Sequence, residues 1–175
     1  SDELVLGNEY MISKWPVRGA PTVEGNTIYA GAGIWPSDGF YLLAIDADTG
    51  KVKWCNDDSG SLSIRQPHGA ISKSGAAAQG YIALSKNNIL VPPGRSLPAI
   101  FDKKTGTFRS LNPHGKIGGG VSMTHEDTYT CAGVLWSIKN SRQIQSYLPM
   151  TRISEWPLIE ALPHDAMTPT GIVAA

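Results

Sequence analysis

Ala44-Ile45-Asp46-Ala47-Asp48-Thr49-Gly50-Lys51-Val52-Lys53-Trp54 decides how this chain is read, because a second copy of it follows. In Ile100-Phe101-Asp102-Lys103-Lys104-Thr105-Gly106-Thr107-Phe108, Asp102 aligns with Asp46, Thr105 with Thr49 and Gly106 with Gly50, each pair 56 residues apart. Each copy reads as strand, tight turn, strand. Gly supplies a left-handed turn residue without a Cβ penalty. The Asp carboxylate and Thr hydroxyl cap backbone N–H groups of the turn. Trp54 and Phe108 are expected to provide large apolar bodies that pack between neighbouring sheets.

Upstream of each copy lies a hairpin pattern, an apolar residue, a polar turn and a β-prone run. It reads Val23-Glu24-Gly25-Asn26-Thr27-Ile28-Tyr29-Ala30 in the first unit and Leu84-Ser85-Lys86-Asn87-Asn88-Ile89-Leu90-Val91 in the second. Thr124-His125-Glu126-Asp127-Thr128-Tyr129-Thr130-Cys131 follows the same logic more loosely. After it, Lys139-Asn140-Ser141 takes the place of the Asp-x-x-Thr-Gly turn. The hairpins recur after 61 and then 40 residues. A repeat of about 40–60 residues with four short strands fits the blade of a propeller.

Composition agrees with that reading. The 175 residues include 19 Gly and 12 Pro, which predicts a chain that turns often and favours strands over long helices. Fifteen basic and fifteen acidic residues give zero net charge, which argues against an electrostatic grip on nucleic acid or on an acidic membrane. Charged residues are 17% and hydrophobic residues 41%, which argues against intrinsic disorder. No run of about 18 apolar residues is present to insert in a membrane. Ser1-Asp2-Glu3-Leu4 has no basic and apolar leader pattern, so a signal peptide is expected to be absent or already removed. Cys55 and Cys131 belong to no CxxC or CxxCH pattern, which removes c-type haem, iron–sulfur and ordinary zinc sites. They either pair in an oxidising compartment or stay separate; two buried thiols is the favoured reading.

With Asn26-Thr27-Ile28-Tyr29-Ala30-Gly31 before it, the stretch Asp46 to Trp54 resembles the PQQ-like β-propeller repeat. That repeat is shared by quinoprotein alcohol dehydrogenases and by the propeller-type outer-membrane assembly lipoprotein. Gly80-Tyr81-Ile82-Ala83-Leu84 through Pro93-Gly94-Arg95-Ser96-Leu97-Pro98-Ala99-Ile100-Phe101-Asp102, with Ala32-Gly33-Ile34-Trp35-Pro36 upstream, is a divergent copy similar to large bacterial PQQ-binding-like repeat proteins. The resemblance covers residues 15–135. It implies an all-β fold of antiparallel four-stranded PQQ-like propeller blades, incomplete here, because closed propellers need about four to eight blades. It also implies a bacterial, periplasmic or otherwise extracytoplasmic setting, with other blades or protein subunits as partners and a possible small ligand. The blades are expected over residues 1–149. A C-terminal extension over 150–175 is expected to hold a short helix from Glu155 to Leu162, capped by Ser154 and ended by Pro163.

In quinoprotein dehydrogenases the resemblance implies PQQ stacked between a Trp and a vicinal disulfide, with Ca²⁺ held by Glu, Asn and Asp. This chain has no adjacent cysteines, and no motif places an Asp base. The expectation is therefore a non-catalytic module for ligand or protein binding, with no cofactor, no metal and no catalytic residue. The alternative is a piece of a PQQ- and calcium-dependent oxidoreductase. The candidate ligand-binding residues are Arg18 and Arg95, each beside Gly and Pro, and Trp35 in the Gly33-Ile34-Trp35-Pro36 loop. A guanidinium near a propeller axis grips a carboxylate or phosphate in bidentate fashion, and an indole stacks a planar ligand or sugar. Pro67-His68-Gly69 and Pro113-His114-Gly115 repeat one tripeptide and read as solvent-facing turns. His125-Glu126-Asp127 reads as a polar turn, because consecutive hairpin side chains diverge.

Overall fold

The computed structural model describes residues 2–7, 9–66, 68–94, 96–112, 121–146, 167–168 and 171–172. Two strands, β1 (Leu4–Gly7) and β2 (Tyr10–Ser13), form an N-terminal hairpin. Blade 1 consists of β3 (Val17–Glu24), β4 (Thr27–Ala32), β5 (Tyr41–Asp46) and β6 (Val52–Asn56), paired in that order. A second hairpin, β7 (Ser63–Arg65) and β8 (Ile71–Lys73), precedes blade 2. Blade 2 contains β9 (Ala83–Leu84), β10 (Asn88–Val91), β11 (Ala99–Asp102) and β12 (Phe108–Ser110). Blade 3 contains β13 (Val121–His125), β14 (Thr128–Cys131), β15 (Val134–Ser137) and β16 (Gln143–Ser146). A two-residue pair, β17 (Met167–Thr168) and β18 (Gly171–Ile172), lies in the tail. All of these pairings are antiparallel, and the described residues contain no α-helix. The chain is thus all-β and built of four-stranded antiparallel blades, three of them, which close no ring among the described residues.

The same turn occurs three times. In blade 1 the N–H of Gly50 donates to the carbonyl of Asp46 and the N–H of Asp46 to that of Lys51. Blade 2 repeats this with Gly106, Asp102 and Thr107, and blade 3 with Ser141, Ser137 and Arg142. The residue at the left-handed position has φ of +70° at Gly50, +73° at Gly106 and +52° at Ser141. Blade 3 therefore keeps the backbone turn after losing both Asp and Gly, with a side chain where that conformation disfavours one. A further bond ties each turn to the hairpin beside it: Ala47 to Asn26, Lys103 to Asn87 and Ile138 to Asp127, N–H to carbonyl.

The fourth strand of every blade carries one extra residue. Ala44 faces Trp54 while Ile45 faces Val52, which leaves Lys53 outside the ladder. Arg109 in blade 2 and Ile144 in blade 3 hold the same place. The bulge turns the two basic side chains back over the turn. Lys53 reaches the Asp46 carboxylate at 3.3 Å and Arg109 reaches that of Asp102 at 2.5 Å. Register keeps the 56-residue offset of the two turns along the fourth strand. Phe108 faces Phe101 as Val52 faces Ile45, so Phe108 is the counterpart of Val52. Ser110, opposite Ile100, is the counterpart of Trp54.

Both faces of blade 2 are covered. Ile89, Val91, Ala99 and Phe101 point to blade 1, where they join Tyr29, Phe40, Leu42 and Ala44 in one apolar cluster. Leu90 and Ile100 point the other way, onto Tyr129, Cys131 and Trp136 of blade 3. That is why Ile89, Leu90 and Val91 are buried without alternation, at about 1.5–3 kcal/mol for each such side chain. Trp54 packs against the first cluster, its six-membered ring over Gly106 of blade 2, where a Cβ would collide with it. The blades also meet along their first strands. Thr22 Oγ1 donates to the carbonyl of Ile82 at 2.7 Å, and Thr124 Oγ1 donates to that of Leu84.

Two expectations change. The stretch from Ser59 to Gly75, read as a loop, contains the β7–β8 hairpin; Ser74 N–H bonds Leu62 O and Ala76 N–H bonds Ser59 O, which closes its base. Cys55 is exposed and only Cys131 is buried, and no disulfide joins them. Strand alternation turns Trp54 and Asn56 inward and leaves Lys53 and Cys55 facing out. The N-terminal hairpin lies ahead of blade 1, as the β7–β8 hairpin lies ahead of blade 2. The helix expected from Glu155 to Leu162 and the residues around His114 lie outside the described residues.

Candidate functional site at the loop end

Blade geometry sorts the connections into two ends. The turns around Gly25, Gly50 and Gly106 gather at one end. The loops that join second to third strands, and the chain running from one blade to the next, gather at the other. Trp35 stands on the first of these loops, between β4 and a 3-10 turn at Pro36–Asp38. Its indole is 62% exposed.

The loop beneath it is pinned from several sides. Gly33 N–H bonds Pro16 O, and a Cβ on Gly33 would lie 2.6 Å from the carbonyl oxygen of Gly39, so its φ of +125° is enforced by close approach. Trp15 Nε1 donates to Asp38 O at 2.8 Å, and the Trp15 ring meets Tyr41 edge-on at 5.4 Å. Gln79 Nε2 donates to Ile34 O at 3.1 Å, which ties the loop to the segment entering blade 2.

Arg18 lies on β3 opposite Gly31, where the ladder skips to Thr22 over a bulge at residues 19–21. Gly19, at φ +72°, is pressed against the carbonyl of Gly80, with no room for a side chain. The half-buried guanidinium of Arg18 has no ion pair or hydrogen bond among the described residues. Arg95, on the equivalent loop of blade 2, lies outside the described residues. Trp35 and Arg18 do not touch, but one segment connects them: Gln79 holds the residue before Trp35, and Gly80 abuts the residue after Arg18.

The next residue on that segment, Tyr81, is 72% exposed. Sequence reading passed over it as part of a strand entry. The available signal was an aromatic next to Gly80 and immediately before the apolar Ile82. The end thus presents two exposed aromatic rings and one half-buried cation on backbone held by hydrogen bonds and glycine contacts.

No family model and no curated protein matches this chain. Among solved structures it is similar to the quinohemoprotein alcohol dehydrogenase from Comamonas testosteroni, at 18% identity over 75% of this chain and 21% of that one, with a TM-score of 0.46. It is also similar to BamB from Moraxella catarrhalis, at 16% identity over 74% of this chain and 52% of that one, with a TM-score of 0.30. The chain spans about a fifth of the first and about half of the second. The blade architecture rests on the chain's own sheets and their repeated turns.

The remaining candidates are separate. His68 is exposed at the tip of the β7–β8 hairpin, where Gly69 N–H bonds Gln66 O. His125, Glu126 and Asp127 form the hairpin turn of blade 3, as their spacing predicted, with Glu126 at φ +45°. Among the described residues no three His, Cys, Asp or Glu side chains converge on a point where a metal would sit. Cys55 and Cys131 stand on different blades, so they do not supply the adjacent pair that would stack PQQ.

Proposed function

We propose that this chain is a non-catalytic binding module of a larger bacterial propeller protein, working in the periplasm or another extracytoplasmic compartment. Its loop end is the recognition surface. The observation that carries this reading is the grouping of Trp35, Tyr81 and Arg18 on pinned backbone. Trp, Tyr and Arg are the side chains that dominate binding energy at interfaces, and holding them in place beforehand lowers the entropy lost on association. Other blades or protein subunits are the proposed partners, with a small planar or anionic ligand as the other occupant. Arg95 is proposed to join the surface from the second loop.

The module is proposed to need no PQQ and no Ca²⁺. Titrating the protein with both and recording visible absorption and dye-linked alcohol oxidation tests that part. A stoichiometric absorption shift with turnover would replace the binding reading by the oxidoreductase one. The binding surface is tested in the parent protein by affinity capture of its partners. Trp35→Ala and Tyr81→Ala, both at exposed positions, are expected to weaken capture by at least about tenfold while the urea melt stays unchanged. Undiminished capture in the double variant would end the assignment.

A further inference from the structure

Blade 1 has one covered face and one open face, and the open face repeats a face that is covered in blade 2. Val23, Ile28, Ile45 and Val52 stand opposite one another in register, one from each strand, with Leu43 beside them. Leu84, Ile89, Phe101 and Phe108 form the same row in blade 2, with Ala99 beside them. The blade 2 row packs against Tyr29, Phe40, Leu42 and Ala44 of blade 1. The blade 1 row joins no apolar cluster among the described residues, and Val23 and Val52 are 61% and 56% exposed. An apolar row that crosses all four strands marks an interaction surface.

A polar group and a glycine repeat along with the row. Arg18 faces Gly31; 61 residues on from both, the N–H of Gln79 bonds the carbonyl of Pro92, so Gln79 is the counterpart of Arg18. The Gln79 amide crosses to blade 1 and donates to Ile34 O in the loop over residues 33–40. The half-buried guanidinium of Arg18 has no such acceptor among the described residues. Gly106 lies under the Trp54 indole, whereas a Cβ on Gly50 meets nothing within 4 Å. The open face therefore lacks an apolar sheet to cover it, a carbonyl for Arg18 and a ring for Gly50. Blade 1 supplies all of these to blade 2. Blade 3 of a second copy does not match: the turn Ala132-Gly133 replaces the 33–40 loop, and Gln145 stands opposite Leu135 as Trp54 stands opposite Ala44.

We propose that this face of blade 1 receives one further four-stranded blade of the blade 1 kind, supplied by the parent protein from outside these 175 residues. That blade carries a long loop between its second and third strands and an aromatic ring at the place of Trp54. Arg18 donates to the loop carbonyl that corresponds to Ile34 O, and the ring covers Gly50. The inference rests on the reading of the chain as a module whose partners are blades. It gives Arg18 its partner and leaves Trp35 and Tyr81 to the loop-end surface.

β7 begins 59 residues after β1, at Ser63 against Leu4, so a second copy of residues 1–59 joined ahead of the whole chain presents such a blade at the repeat's own spacing. The extended chain is expected to unfold in one urea transition, with a midpoint at least about 0.5 M above that of the 175-residue chain. Arg18→Ala in the original blade 1 is expected to lower that midpoint by about 0.5 M and to leave the 175-residue chain unchanged, and Arg18→Gln to restore it. In the parent protein at about 1 μM, a Leu43→Cys thiol is expected to react with maleimide at least about tenfold more slowly than in the 175-residue chain. A separate transition for the added unit, or an equal effect of Arg18→Ala in both chains, would overturn the proposal. So would equal labelling, fast in both if the face stays open and slow in both if a second copy covers it. Trp35 and Tyr81 take no part in these readouts, so a failure of the loop-end surface leaves this test standing.

Discussion

The Asp102 carboxylate collects the N–H groups of Lys104 and Thr105, each at 2.9 Å, the hydroxyl of Thr105 and the guanidinium of Arg109. Arg109 is the largest cause, and together they hold its carboxyl down to about 2. Asp46, with Thr49 and Lys53 around it, is also lowered. A depressed carboxyl contributes stability above its unfolded value of 3.8, and that contribution disappears as pH falls through about 2. Asp102→Asn is therefore expected to lower the urea midpoint at neutral pH and to flatten the fall in stability between about pH 4 and about pH 2. Urea melts across that range check both effects; parallel curves for variant and parent would contradict them. The thiols give a second prediction. Burial pushes Cys131 up to about 11, and burial together with Asp57 also raises the exposed Cys55. Iodoacetamide is expected to modify Cys55 slowly in the folded protein and Cys131 only after denaturation, which mass spectrometry reads directly. Neither the Lys53 and Arg109 pairings nor the exposure of Cys55 was read from the sequence. The pairings depend on a single extra residue in the fourth strand, and local alternation does not reveal a bulge.

At the scale of the element, the Asp-x-x-Thr-Gly turn is local chemistry, and it was legible. Its capping groups and its glycine lie within five residues of one another. The packing of the strand that follows was legible only in part. Trp54 does dock between blades, and its counterpart at the same 56-residue offset is Ser110, so blade 2 offers no equivalent indole. Gly50 and Gly106 share one backbone conformation and differ in surroundings: a Cβ on Gly50 meets nothing within 4 Å, while one on Gly106 meets the indole. Gly50→Ala is expected to cost about 1–2 kcal/mol for the left-handed conformation alone. Gly106→Ala should cost more, because it also displaces Trp54. Trp54→Ala is expected to destabilise by about 3 kcal/mol. In double-mutant cycles, Gly106→Ala and Trp54→Ala should couple by at least about 0.5 kcal/mol, and Gly50→Ala should add to Trp54→Ala without coupling. Equal coupling of both glycines to Trp54 would mean that the indole does not clasp the second blade.

At the scale of the molecule, blade 2 shows what a blade face buries and blade 1 shows what an end blade leaves open. Ile28, Leu43 and Ile45 correspond to Ile89, Ala99 and Phe101, which are closed between blades; in blade 1 they are half-exposed. An apolar sheet face of this kind drives association. The 175-residue chain is expected to show concentration-dependent self-association in sedimentation velocity, and Leu43→Lys is expected to suppress it. A monomer up to about 100 μM would show that this face does not drive contact between copies.

The sequence by itself determined the strand–turn–strand repeat, the three hairpins, the all-β class and the left-handed turn positions, because each follows from residues a few places apart. It also marked Arg18 and Trp35 as candidates, though not the segment that connects them. Only the tertiary structure decided which glycine lies under an indole and that Gln79 ties the Trp35 loop to the segment carrying Tyr81. Those outcomes depend on strand register and on the packing of one blade against the next. Each brings together residues far apart in the chain, and alternation along a strand carries no record of what lies across from it.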